Sequence, residues 1–142
     1  MAGEDGLDGA PGTPGANGAA GSALLMGNVA LQQGAVSWGG PQGGNFDNES
    51  AAQAPVAGPY QDVTDFTVAT SAAPGVGQSY TFVLRIDGAD YLSCAISGLN
   101  QSCGTGSGMS VEVAAGQKLA IRMTASAGAP NANAGISMRL RP

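Results

Sequence analysis

The chain has 142 residues, enough for one domain and a short appendage. Gly accounts for 24 residues and Pro for 8, only 11 % of the chain is charged, and ten acidic residues stand against five basic ones. A chain so poor in Lys and Arg is a weak polyanion binder, and one without His has no His nucleophile pair, general base or metal ligand.

The first 21 residues carry a strict period of three. Gly3, Gly6, Gly9, Gly12, Gly15, Gly18 and Gly21 recur without a break, with Pro11 and Pro14 both in the third position of their triplets. A collagen triple helix requires this spacing, because only Gly fits where three polyproline-II chains meet at the axis. The competing reading is a flexible Gly/Ala linker. The collagen reading fixes the stoichiometry at three. Its six triplets would form a stalk of roughly 55 Å. Glu4, Asp5 and Asp8 crowd the tip with negative charge, and no Lys or Arg precedes Arg85. Like charges repel, so the rest of the chain is expected to hold the trimer together. The acidic start, with no apolar run behind it, does not read as a signal peptide. No apolar run is long enough to span a membrane as a helix.

Residues 22–58 form a connecting segment with the first strands. Ala23–Met26 and Val29–Leu31 suit a strand or a short helix, and Ala35–Trp38 suits a strand. Gly39–Asn45 reads as a loop, and 47–59 is small and polar with Pro55 and Pro59 as breakers. Trp38 is expected in the core or at a subunit contact.

Residues 59–142 are plainly β. Val63, Phe66 and Val68 mark one strand imperfectly. Tyr80, Phe82, Leu84 and Ile86 alternate cleanly with Thr81, Val83 and Arg85. Val111 and Val113, then Leu119, Ile121 and Met123, then Ile136, Met138 and Leu140 repeat the pattern. Apolar residues at period two describe half-buried antiparallel strands, and turn signals such as Asp87-Gly88 separate them. Seven to nine short strands and no helix after residue 35 predict an all-β antiparallel sandwich, jelly-roll-like, with residues 22–142 as one globular domain. Three Phe, three Tyr and one Trp make a light core, which a homotrimer would supplement.

The only cysteines are Cys94 and Cys103. If Gly98-Leu99 turns a two-residue hairpin, the two stand opposite each other as a non-hydrogen-bonded pair, within disulfide reach. Free thiols, interchain bridges and a two-Cys metal site remain as alternatives, although two Cys without His are too few for zinc.

The close acidic pairs are Asp62 with Asp65 and Asp87 with Asp90. Paired carboxylates can hydrolyse glycosides, but no aromatic-rich cleft accompanies them, and they read as solvated turn residues. Asp47, Asn48 and Glu49 offer oxygen ligands for Ca²⁺ without a recognisable loop signature. Arg139 and Arg141 fall on the polar face of the last strand. No catalytic residue, metal or cofactor is expected.

The run Ala72-Ala-Pro-Gly-Val-Gly-Gln-Ser-Tyr-Thr-Phe-Val-Leu-Arg-Ile-Asp-Gly88, then Cys94–Gly98 and Val111–Arg122, resembles head domains of collagen-like proteins from bacteriophages and bacteria. Together with the Gly-X-Y stalk it is similar to collagen-like trimers with C1q/TNF-like jelly-roll heads. The resemblance implies a homotrimeric, non-enzymatic structural protein on a virion surface, as a capsid decoration or short fibre. Its alternative is a collagen-like adhesin of a bacterial or spore surface, with a ligand-binding head. The implied partners are other copies of the chain, a capsid or other virion protein, and a host-surface ligand, with no nucleic acid and no membrane insertion. Glu4, Asp5 and Asp8 are the expected attachment residues. The shortness of the stalk departs from a long-reach fibre.

Overall fold

The computed structural model describes residues 23–56, 62–105 and 109–142. The stalk glycines Gly3 to Gly21 and the acidic trio Glu4, Asp5 and Asp8 lie outside the described residues.

Two antiparallel sheets carry the fold. The chain forms β1 (Ala23–Leu31), β2 (Val36–Gly40), β3 (Gly43–Phe46), a one-turn helix α1 (Glu49–Ala52) and β4 (Ala54–Pro55). It continues with β5 (Asp62–Thr70), β6 (Gly75–Ile86), β7 (Ala89–Gly98), β8 (Ser102–Gly104), β9 (Ser110–Glu112), β10 (Lys118–Ala125) and β11 (Ala132–Arg141). One sheet runs β1-β11-β5, with β8 and β9 in tandem on the free side of β5. The other runs β3-β2-β10-β6-β7, with β4 beside the start of β10. They are called sheet A and sheet B below. The chain passes between the sheets repeatedly, so the first and last strands end up as neighbours, with Ala23 opposite Leu140.

The alternating residues fill the space between the sheets. Tyr80, Phe82, Leu84 and Ile86 of β6 are at most 1 % exposed. Leu119, Ile121 and Met123 of β10 join them from sheet B, and Phe66, Val68, Ile136, Met138 and Leu140 meet them from sheet A. Burying an aliphatic or aromatic side chain of this size is worth about 1.5–3 kcal/mol. Period two in the sequence is therefore the main source of the fold's stability.

Local chemistry sets the turns. Ile86 pairs with Ala89 across the two-residue loop Asp87-Gly88, and both loop residues have positive φ, 50° and 82°. That is the type I′ turn whose twist matches a hairpin. The imperfect pattern of β5 has a cause: Asp65 sits at φ 55° in mid-strand, and the β5–β11 register slips between Ser137 and Arg139. A bulge there lets Val63 and Phe66, three residues apart, both point inward.

Five expectations are corrected. Gly39–Asn45, expected as a loop, is a hairpin whose turn is Pro41-Gln42, with Gly39 paired to Asn45. Strands number eleven among the described residues, because β4, β8 and β9 are two or three residues long and too short to alternate visibly. A helix does occur after residue 35: Asn48 caps α1 by accepting from the backbone N–H of Ala51 at 2.9 Å. Of the two places expected for Trp38, only the core is overturned: the ring lies outside the core cluster and faces the guanidinium of Arg85 at 5.7 Å. The Gly98-Leu99 turn forms, with Asn100 N–H bonded to the Ser97 carbonyl, but no hairpin follows it. Cys94 pairs with Phe82 in sheet B, and Cys103 pairs with Val68 in sheet A.

Candidate functional site

The outer face of sheet A is the candidate interaction surface. Strand β1 turns Ala23, Leu25, Gly27, Val29 and Leu31 toward the core and leaves Leu24, Met26 and Asn28 outside. Leu24 and Met26 are 56 % and 62 % exposed. Register extends this stripe across the sheet: Met26 lies opposite Ser137, which lies opposite Thr67, which lies opposite Gly104. The next row is Asn28, Gly135, Ala69 and Ser102.

These two rows line a shallow depression of about 720 Å³. It is a depression because its side chains are small. Gly135 lies in the middle of a central strand, and a Cβ there would meet nothing nearer than the Asn28 Oδ1 at 3.6 Å. Internal packing therefore leaves room for a side chain at Gly135. Glycine inside a central strand weakens it, and commonly marks a place where another backbone comes close. Gly27 is different: a Cβ there would lie 2.1 Å from the Gly43 nitrogen, so the approach of the β2–β3 turn requires it. No lining residue of the depression is charged. The Thr67 and Ser137 hydroxyls bond each other at 2.5 Å and satisfy themselves.

Charge is distributed by pole. The end of the sandwich where β1 begins also holds Arg139 and Arg141 at the end of β11, Asp62 and Asp65 at the start of β5, and Glu112 opposite Asp62. On sheet B, Arg85 donates to Glu49 at 2.7 Å, to Asp90 and to the Gly88 carbonyl, while Arg122 reaches Asp90 at 2.9 Å. The Arg122 guanidinium, and then Arg85, hold the Asp90 carboxyl below its ordinary value. Glu49 and Asp90 together hold the Arg85 guanidinium above its ordinary value against the opposing effect of burial. Asp87 accepts from the Lys118 backbone N–H at 2.9 Å. All these loops and strand ends sit at one pole, and Arg122 in mid-strand marks the limit of the charge. The loops of the other pole, 32–35, 71–74, 99–101 and 126–131, contain no charged residue. That pole is tied together by neutral bonds, among them Tyr80 Oη–H to the Pro130 carbonyl at 2.6 Å. Burial pushes the Tyr80 phenol above its ordinary pKa.

The predicted site residues separate accordingly. Cys94 and Cys103 are joined, with sulfurs bonded and Cα atoms 5.8 Å apart, and the bond crosses from sheet B to sheet A. Asp87 and Asp90 serve as hairpin and ion-pair residues. Asp65 lies 3.9 Å from Arg139 at the bulge. Glu49 is engaged by Arg85 and Asn48 by the helix cap, so two of the three oxygen donors in the Asp47–Glu49 stretch are taken up by the fold itself. Among the described residues no three His, Cys, Asp or Glu side chains gather as a metal site would need. The depression on sheet A and the charge-free pole escaped sequence reading, since both depend on strand order. Gly135, standing where Asn133, Ser137 and Arg139 put polar side chains on the outer face, was the one signal present.

No protein-family model matches the chain, and no curated protein matches it.

Proposed function

We infer that the protein is a non-enzymatic homotrimeric structural component of a virion, a capsid decoration or short fibre, with a jelly-roll-like head on a collagen-like stalk. One observation carries this reading: the glycine period ends at Gly21, two residues before Ala23, where β1 begins at the edge of sheet A. Three collagen chains run within a few ångströms of a common axis, and two residues span at most about 7 Å. Each β1 must therefore start close to that axis, with Leu24, Met26 and the uncharged depression beside it. Bare, small-residue faces of this kind suit a second copy of the chain, which would cover the exposed Met26 and approach Gly135.

The disulfide agrees with a surface role, because such bonds persist in oxidising surroundings. The charge pattern supports an orientation. β1 begins at the charged pole, and a stalk continuing from Ala23 would leave the head there, so the tip with Glu4, Asp5 and Asp8 would dock on the particle and the neutral pole would point outward. A collagen-like adhesin on a bacterial or spore surface shares the trimer and the outward head, and differs in its anchor.

Sedimentation of the full chain tests the assembly. The expected mass is three times the 13.8 kDa of one chain; a monomer at micromolar concentration would end this reading. Co-purification with intact virions separates the virion role from the cell-surface one.

A further inference from the structure

We propose that the depression on the outer face of sheet A receives one particular surface of a second copy of the chain, the aromatic pair Phe46 and Trp38 on sheet B. The proposal rests on the homotrimer inferred above and adds which surface of the neighbouring copy fills the face. A patch that meets its own copy closes a pair, so a ring of three is built from two different surfaces per chain, an acceptor and a donor. Both must flank the part of the subunit that lies beside the axis.

The fold places two such surfaces around β1. Edge strand β1 of sheet A and edge strand β3 of sheet B run along one side of the sandwich. Asn45 on β3 donates to the Ala30 carbonyl and accepts from its N–H, both at 2.8 Å. Gly43 comes so near that a Cβ on Gly27 would lie 2.1 Å from its nitrogen. A collagen stalk ending at Gly21 brings the start of this shared side to the axis. The outer face of sheet A opens on one flank of it, with Leu24, Met26 and the uncharged depression. The outer face of sheet B opens on the other.

That second flank carries the aromatic side chains. Trp38 stands opposite Phe46 on one side and Arg122 on the other. A Cβ on Gly39 would meet Val29 and Met123 of the core, so Trp38 and Gly40 on either side of it point outward. The Phe46 ring lies 3.2 and 3.3 Å from where Cβ atoms of Gly40 and Gly44 would be, and Phe46 is 40 % exposed. Trp38 is half-buried in its own subunit. Aromatic side chains and Arg are the residues that carry most interface energy, with paired polar groups at the rim. The charges beside Trp38 are paired, Glu49 and Asp90 with Arg85 and Arg122, so this flank brings no unmatched charge to an uncharged acceptor. Small residues at Ala69, Gly104 and Gly135 leave the acceptor the space a ring needs.

The other large exposed apolar side chains lie away from this side, except Val36, two residues before Trp38 on the same face. Tyr91 is on β7, the opposite edge of sheet B, and Met109 precedes β9, across sheet A from β1. Val76 and Leu99 belong to the pole away from the start of β1.

Trp38 is the only tryptophan of the chain, so its fluorescence reports the contact. Met26→Asp alters the acceptor and no residue of sheet B. In the full chain it should give a monomer by light scattering, with native circular dichroism, and Trp38 emission should shift to the red as the ring returns to water. Phe46→Glu spoils the donor and should also give a folded monomer. Mixed in equal amounts, at a concentration where the unaltered protein is trimeric, the two variants retain one intact acceptor and one intact donor and should pair as a dimer. A trimer that survives either substitution overturns the proposal. So does a Met26→Asp monomer whose Trp38 emission is unchanged, or a mixture that stays monomeric. If Phe46→Glu fails to fold, the Trp38 shift in Met26→Asp decides alone. In all these outcomes the unaltered chain is still a trimer; an unaltered chain that is monomeric refutes the homotrimer itself.

Discussion

Cys94 on β7 and Cys103 on β8 are only nine residues apart, yet their bond joins the two sheets of the sandwich. Between them the chain turns at Gly98-Leu99 and leaves sheet B for sheet A. The bond therefore closes a corner of the core, beside Phe82 on one side and Val68 on the other.

Reducing that bond should lower the melting temperature without removing the fold. A closed loop of this length constrains the unfolded chain by about 2–3 kcal/mol. Paired thermal melts with and without reductant, and the variant Cys94→Ala with Cys103→Ala, give the measurement. Identical melting in all three would show that the corner is held by packing alone.

Two glycines on neighbouring strands should respond oppositely to alanine. At Gly27 a Cβ would strike the Gly43 nitrogen at 2.1 Å and the Gln42 carbonyl carbon at 2.2 Å, so backbone must move. Gly27→Ala is expected to cost about 1–3 kcal/mol or more, as overpacking does. Gly135→Ala meets only ordinary contacts within its own subunit, so the folded subunit should be unchanged or slightly stabilised, and any loss should appear only in assembly. Denaturant melts of the two variants decide this; equal losses would contradict it.

The strands were legible where they are long and one-sided. Tyr80, Phe82, Leu84 and Ile86 announce their strand because one face is buried and the other is not. Asp87-Gly88 announces its hairpin because the turn demands positive φ. The Gly98-Leu99 turn was equally legible, but a turn fixes only its own four residues. Whether the next strand pairs backward or crosses to another sheet is decided by the core, and Val68 and Phe66 in sheet A claimed β8. Helix α1 went unseen because one turn has no periodicity, although Asn48 followed by Glu49 is a capping signal. The face carrying Met26, Ser137 and Thr67 draws on residues over a hundred positions apart, so only the strand order reveals it.

The ion cluster on sheet B gives a pH dependence of known sign. Arg122 and Arg85 hold Asp90 below its ordinary pKa. A carboxyl depressed in the folded state contributes stability that is complete above its unfolded pKa and disappears as pH falls through the folded one. Asp90→Asn should therefore lower stability near neutral pH and lose most of that deficit in acid. Melting temperatures of the two proteins across that range check it. The effect should be small, since Asp90 is half exposed, and a gap that widens in acid would reverse the assignment.

The head should hold the trimer without the stalk. A collagen stalk of six triplets with like charge at one end would supply little, whereas each copy offers an uncharged face around Met26 and Gly135. Removing residues 1–21 should leave a trimer of nearly unchanged melting temperature. Met26→Asp or Gly135→Leu, each on the outer face, should yield folded monomers by light scattering with native circular dichroism. A truncated chain that is monomeric, or two face variants that stay trimeric, would move the assembly contact elsewhere.

Attachment should proceed through the stalk tip. In the proposed trimer, Glu4, Asp5 and Asp8 on three chains would gather a dense negative charge, which is stabilised where a basic surface or cations neutralise it. Occupancy on the particle should then fall as salt rises, because exposed charges are screened over about 10 Å at 0.1 M. Replacing the three acids by Asn or Gln should lower it further at constant salt, with the trimer and its melting temperature unchanged. The rival arrangement docks the neutral pole and leaves the stalk free. It predicts that occupancy is indifferent to salt and to loss of residues 1–21, and instead sensitive to substitutions in the loops 71–74 and 99–101. Measuring particle-bound protein for both sets of variants across one salt series distinguishes the two, and full occupancy by the stalkless trimer would rule out docking through the tip.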